Sequence, residues 1–200
     1  MKILLDHNLL IDLELQQGND IGNLNNLVML HNNHQITVCV SAISASERLK
    51  DRTYASTFAI FRERIQKLSQ REFEILRPPI YFDITYWDWC MWSGDTIIAL
   101  EKEIHQTLFP ETEFEWQTYA QSHGMNPEAD LRSPEGQKWR NRKCDVLTLW
   151  CHIYYACDIF VTNDSNFHRK NLALASLGAK QISYPSELQI INQKLKIENS

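Results

Sequence analysis

Four carboxylates stand where an α/β chain can gather them: Asp6, Glu47, Asp145 and Asp164. Asp6 halts the short apolar run Lys2 to Leu5, and Asp164 lies just past a second run, Asp158 to Thr162. Glu47 follows the β-branched stretch Ile36 to Val40 and a Ser-rich segment, so it is expected about one turn into a helix. Asp145 precedes Val146, Leu149, Trp150 and Ile153 at helical spacing. It is therefore expected to open a helix, where the macrodipole favours an acid. Hard divalent cations such as Mg²⁺ and Mn²⁺ take oxygen ligands of this kind, often few carboxylates and several waters. Such a cation acidifies a water into a nucleophile, and a second one stabilises the leaving oxygen of a phosphodiester. Without cations, four neighbouring carboxylates repel, and some acquire raised pKa values. Phosphodiester hydrolysis is thus the chemistry that this set can serve. An acid at a strand end or a helix start is also a common cap, so the weight rests on the four together.

Other side chains stand close by in sequence. Asn8 and Thr162 have the polar groups to orient a water or a phosphate, and Ser41 and Ser44 offer the same more weakly. Asn8 equally suits a helix N-cap. Lys138, Arg140, Arg142 and Lys143 precede Asp145; Arg48, Lys50 and Arg52 follow Glu47; His168, Arg169 and Lys170 follow Asp164. Three basic groups, each next to a site acid, suit the phosphate backbone of a nucleic acid. Trp87, Trp89, Trp92 and Trp116 can stack on unpaired bases or pack a core. His7 and His152 are read as packed side chains rather than metal ligands. The sequence has no Gly-rich phosphate loop, nucleophile elbow or Ser-His-Asp order.

The elements that must position these residues are legible in outline. After Asp6, apolar residues Leu9, Leu10 and Leu13 predict a helix from near Asn8, and Leu24, Leu27, Val28 and Leu30 a second one. Ile36 to Val40 is the clearest strand, and Phe73 to Leu76 a further one stopped by Pro78 and Pro79. Thr53 to Gln70 reads as a helix, and Asp83 to Leu108 as a long aromatic one. Glu111 to Arg142 is irregular, broken at Gly124, Pro127, Pro134 and Gly136. Asp145 to Ala156 is helical, Asp158 to Thr162 a strand, and Ser165 to Leu177 a helix closed by Gly178. Gln181 to Tyr184 is a last strand and Ser186 to Leu195 a last helix. Short apolar strands alternating with helices predict a mainly parallel sheet covered on both faces, a three-layer α/β/α sandwich. Sites in such sheets lie outside the carboxyl ends of the strands. That is where Asp6 and Asp164 fall.

Composition sets the outer bounds. At 200 residues, 44% hydrophobic and 22% charged, the chain suits one folded domain. A net charge of −5 is not that of a protein holding nucleic acid by overall charge, so local basic clusters matter more. Five cysteines without a C-x-x-C pair read as free buried thiols. No apolar run approaches the roughly 20 residues that span a bilayer, and the first residues do not read as a signal peptide. No membrane association is expected, and the expected location is cytoplasmic.

The motifs MKILLDHNLLIDL, SAISASERL, CDVLTLWCHIYYACDIFVTND and NFHRK resemble the successive motifs of the PIN-domain nucleases. In that family a strand ends in an Asp, here Asp6; an acid follows a Ser- or Thr-rich helix start, here Glu47. A further Asp opens a helix leading to a strand, here Asp145, and that strand ends in Thr-x-Asp, here Thr162 to Asp164. The resemblance implies that the four acids bind Mg²⁺ or Mn²⁺ and cleave RNA; single-stranded DNA is kept as the alternative substrate. It also implies a partner protein where a member is the toxin of a toxin–antitoxin pair or a phage-defence effector, and a homodimer as a common assembly. A PIN-like fold kept for binding without catalysis is the alternative from another class. The likeness covers residues 1–50 and 143–185. Glu47 and Asp145 are 98 residues apart, a wider spacing than in small toxin-like members, so residues 83–142 are expected as a helical insertion within a single domain of residues 1–200.

Overall fold

The computed structural model describes residues 1–47, 54–92, 94–129, 131 and 134–188. Five strands form one sheet: β1 (Lys2–Leu5), β2 (Thr37–Ser41), β3 (Glu74–Leu76), β4 (Ile159–Val161) and β5 (Gln181–Ser183). Their order is β3-β2-β1-β4-β5, and every pairing is parallel. Leu5 sits opposite Val40 on one side and Val161 on the other, so β1 is the central strand. Successive strands run outward from β1 in one direction and then, from β4, in the other. The order therefore reverses between β1 and β4, and a crevice opens at their carboxyl ends.

Period-two alternation along the strands divides the core into two layers. Ile3, Leu5, Val38, Val40, Ile159 and Val161 face one side, and Leu4, Cys39, Phe160 and Ile182 face the other. The first side is covered by α1 (His7–Leu15), α2 (Ile21–Asn32) and α3 (Phe58–Gln66), through leucines of α1 and α2 and Phe58, Phe61 and Ile65 of α3. The second is covered by α4 (Asp95–Leu108), α6 (Pro134–Tyr154) and α8 (Asn171–Ser176), through Ile104, Leu108, Leu149, Trp150 and Leu174. The architecture is a parallel-sheet α/β sandwich of three layers. No described helix is long and apolar enough to cross a membrane.

Several elements depart from the sequence reading. The helix carrying Asp145 begins at Pro134, not at Asp145. Proline suits the first turn, where its missing N–H has no intrahelical partner. Gly136 is no break: it sits in that turn, where a Cβ would meet the Leu131 Cα at 2.7 Å. The segment after β2 is a 3₁₀ helix, Ala42–Ser46, capped by the Ser41 hydroxyl, and Glu47 leaves it in an extended conformation. The expected long helix from Asp83 is helical only as α4, preceded by a single 3₁₀ turn at Trp87–Trp89. The helix after Asp164 is two short pieces, α7 (Ser165–Arg169) and α8, and the chain ends its described part in a 3₁₀ turn at Pro185–Glu187.

Residues 83–142 contribute elements to the sandwich itself. α4 belongs to the layer under the sheet, packed on α6. A third core cluster joins Ile43 of the 3₁₀ helix, Ile84, Trp116 and Tyr119 of α5 (Trp116–Ser122), and Trp139, Cys144 and Leu147 of α6. The Ser46 hydroxyl donates to the Ile84 carbonyl, tying this cluster to the residue before Glu47. Trp89 stacks on Phe58 at 4.4 Å between ring centres, and the indole N–H of Trp116 donates to the Pro127 carbonyl. These two tryptophans are packing residues, not stacking platforms. All five cysteines are free, four of them buried.

Candidate metal centre

Asp6 and Asp164 close the two strands that flank the reversal of strand order. Each acts as the N-cap of the helix that follows. Asp6 accepts from the His7 backbone N–H at 2.8 Å, and Asp164 from that of Asn166 at 2.7 Å. A carboxylate is well suited to this, since the first turn of a helix leaves its N–H groups without partners. Asn8, expected as the cap, is instead an exposed residue of the first turn of α1.

Thr162 joins the two acids. Its hydroxyl donates to Asp6 Oδ2 at 2.6 Å and accepts from the Asp164 backbone N–H at 3.0 Å. Thr162 is itself wholly buried, with its N–H given to the Ser183 carbonyl at 3.1 Å. Burial drives the Asp6 carboxyl above its usual range; the Thr162 and His7 hydrogen bonds hold it down, and the Asp164 charge raises it further.

Asp145 and Glu47 complete the set. Asp145 lies in the interior of α6, where no helix end favours a negative charge. Burial first, and then the Asp6 and Asp164 charges, push its carboxyl well above the ordinary carboxylate range, while Arg142 opposes them. Glu47 is likewise pushed well up by burial and by the Asp6 and Asp145 charges, with Arg140 opposing. Both residues are half-buried. The Asp6 charge thus acts on both Glu47 and Asp145, the Asp145 charge on Glu47, and the Asp164 charge on Asp6 and Asp145. Four segments far apart in sequence meet in one electrostatic field. Among the described residues, no three His, Cys, Asp or Glu side chains are placed so that together they could hold a metal ion.

The basic run before Asp145 is redistributed by the helix. Only Lys138 is exposed. Arg140 is buried with its guanidinium 4.6 Å from the Tyr54 ring centre, and none of its nitrogens finds an acceptor among the described residues. Lys143 is buried in an ion pair with Glu101 and lies 3.7 Å from the Phe114 ring centre. Arg142 bonds the Thr112 hydroxyl and covers Phe109. Arg140 and Lys143 therefore do not form the expected phosphate-holding surface. At 3.6 residues per turn they share the packed side of α6 with Trp139, Cys144 and Leu147. Arg169 is exposed at the end of α7, whereas Lys170 gives its ammonium to the Thr107 and Leu108 carbonyls. Arg48, Lys50 and Arg52 lie outside the described residues.

Ser41 is not beside the acids' carboxyl groups in any hydrogen bond. Its wholly buried hydroxyl accepts from the Ile43 N–H and meets the Cys151 sulfur at 3.4 Å. His152 is buried, with Nε2 accepting from the Lys180 N–H at 3.2 Å. One participant escaped the sequence reading: Arg140 as an internal cation beside Glu47, in place of a surface phosphate ligand. Extending the helical period backward from Val146 would have placed it on the buried side.

Compared with known proteins, the chain matches no protein-family model and no curated sequence.

Proposed function

We propose that this chain is a divalent-metal-dependent nuclease of the PIN-like kind, hydrolysing phosphodiester bonds with RNA as its main substrate. One observation carries the reading: Thr162 links Asp6 and Asp164 at the carboxyl ends of β1 and β4, and the Glu47 and Asp145 carboxyls are raised by burial and by the charge of Asp6. The four acids offer only oxygen donors, the ligand type that Mg²⁺ and Mn²⁺ take. When bound, such a cation acidifies a water and offsets charge on the phosphodiester.

The remaining work falls to the chain. The Thr162 hydroxyl fixes the Asp6 carboxylate in one orientation, and the Asp6 and Asp164 caps tie both acids to rigid strand ends. Asp145 and Glu47, whose carboxyls are hard to ionise alone, supply the charge that draws a cation into the crevice. Arg140 and Arg142 temper that charge from behind. Arg169 and Lys138, both exposed, are the basic groups available to a phosphate backbone.

A cleavage assay on mixed RNA and single-stranded DNA with Mn²⁺ or Mg²⁺ tests this. The parent is expected to cut RNA, and to stop with EDTA. Asp6→Asn and Asp164→Asn are expected to be inactive while remaining folded. Cleavage by both variants at the parental rate would overturn the four-acid site.

A further inference from the structure

Phe82, Trp87 and Trp92 form a ladder of exposed rings. They are 67%, 61% and 77% exposed, and consecutive ring centres lie 5.6 and 5.9 Å apart in edge-to-face contact. Scattered apolar side chains on a surface need no explanation, but three large rings in mutual contact form a patch that water solvates poorly. The patch is far from neutral in its setting. Between Pro78 and Leu131 the chain holds ten acids and a single basic residue, Lys102. The rest of the chain holds 15 acids and 19 basic residues. The stretch of sequence that bears the ladder is thus net negative, and three of its acids, Asp83, Glu115 and Glu128, line the clefts beside the rings.

Two clefts flank the rings. One, of 450 Å³, is lined by Tyr81, Phe82, Asp83 and Glu115, and the other, of 530 Å³, by Asp83, Trp87 and Glu128. Asp83 borders both. The Tyr81 hydroxyl donates to Glu115, which leaves that carboxylate facing the cleft with acceptor capacity to spare. Each cleft has the size for a long side chain and carboxylates at its wall.

We propose that this face is a docking surface for a basic polypeptide segment, with Arg or Lys side chains in the two acidic clefts and apolar side chains on the Phe82–Trp87–Trp92 ladder. Charge selects the occupant. A nucleic acid could stack its bases on such rings, but single-strand platforms pair their aromatics with a positive groove. Here the phosphates would meet carboxylates. A guanidinium gains twice, from the acids and from the ring faces. The surface is independent of the metal centre and does not rest on the proposed activity.

The test is fluorescence anisotropy in EDTA with three labelled peptides of equal length, alternating Arg-Leu, Arg-Ser and Glu-Leu, and with oligouridine. The Arg-Leu peptide is expected to bind at least about tenfold more tightly than either other peptide, losing affinity as salt rises. Replacing two aromatic anchors in the Trp87→Ala/Trp92→Ala variant should weaken it by about thirtyfold or more, with an unchanged circular dichroism spectrum. Asp83→Asn should weaken the Arg-Leu peptide without affecting the rings. Equal binding of all three peptides, or an Arg-Leu affinity untouched by the double variant, would overturn the proposal. So would oligouridine binding that the double variant abolishes, or sedimentation showing a dimer that it dissolves.

Discussion

Thr162→Val is the substitution that most sharply tests how the centre is built. Valine keeps the volume of threonine and removes its hydroxyl. Two groups then lose a partner in a buried place: Asp6 Oδ2, which accepts at 2.6 Å, and the Asp164 N–H, which donates at 3.0 Å. A hydrogen bond to an ionised group contributes about 1.5–3 kcal/mol, and an orphaned buried donor costs about 1–3 kcal/mol. The two losses share one site and will not add fully, so a destabilisation of about 2–4 kcal/mol is expected. Urea unfolding of the metal-free protein at neutral pH measures it as a lower midpoint with an unchanged slope. The Asp6 carboxyl should also rise further in pKa, because the Thr162 bond is the largest influence holding it down. Affinity for Mn²⁺ should then fall by about 10–100-fold, the usual effect of losing an orienting partner. Thr162→Ser, which keeps the hydroxyl, should restore most of both. A Thr162→Val protein within about 0.5 kcal/mol of the parent, with parental Mn²⁺ affinity, would show that the hydroxyl does not join the two acids.

Three further outcomes follow from the same geometry. The carboxyls of Asp145 and Glu47 are raised in the folded chain above their unfolded values, so the unfolded chain releases its protons first as pH climbs past about 4. Metal-free protein should therefore lose melting temperature as pH rises above the ordinary carboxylate range. Asp145→Asn should flatten that slope, and a slope unchanged by the substitution would refute it. Mn²⁺ added near pH 8 should raise the melting temperature more than Mn²⁺ added near pH 5, since protons no longer compete for the carboxylates; an equal effect at both would contradict the account. Glu101→Gln leaves the Lys143 ammonium buried against ring faces without its counter-charge, a loss of about 3–5 kcal/mol in urea unfolding. The double substitution Glu101→Leu/Lys143→Met should recover most of it, and failure to recover would mean that the pair is not the main interaction there.

The sheet was legible because its strands announce themselves. Lys2 to Leu5, Ile36 to Val40 and Asp158 to Thr162 are short apolar runs with an acid or a serine at the carboxyl end, and all became parallel strands within a residue or two. Asp6 and Asp164 were placed by the same logic. Around Asp145 and Glu47 the local pattern misled. Apolar periodicity strengthens only after Cys144, although the helix starts at Pro134, because its first turns bury Trp139, Arg140 and Lys143 rather than aliphatic residues. A buried arginine over Tyr54 and a buried lysine paired with Glu101 read in sequence as a solvated basic run. Their partners lie 30 or more residues away, and no local rule finds them. The Ser-rich segment before Glu47 looked helical, but serine hydroxyls compete for backbone partners, and the chain closed a 3₁₀ turn instead. The aromatic stretch from Tyr81 to Trp92 has the hydrophobicity of a helix without its period. In the fold it splits between Trp89, half-buried against the core, and Trp87 and Trp92 at the surface.

The central claim is that four acids form one divalent-cation centre, and a calorimetric Mn²⁺ titration of the parent beside Asp145→Asn tests it most directly. Asp145 is the acid whose place owes least to capping or to a strand end, so only a shared centre gives it a part in binding. The account predicts saturable Mn²⁺ binding by the parent, and a loss of affinity of at least about tenfold in Asp145→Asn with its fold retained. Binding of equal strength in both proteins, or none in the parent, would contradict it.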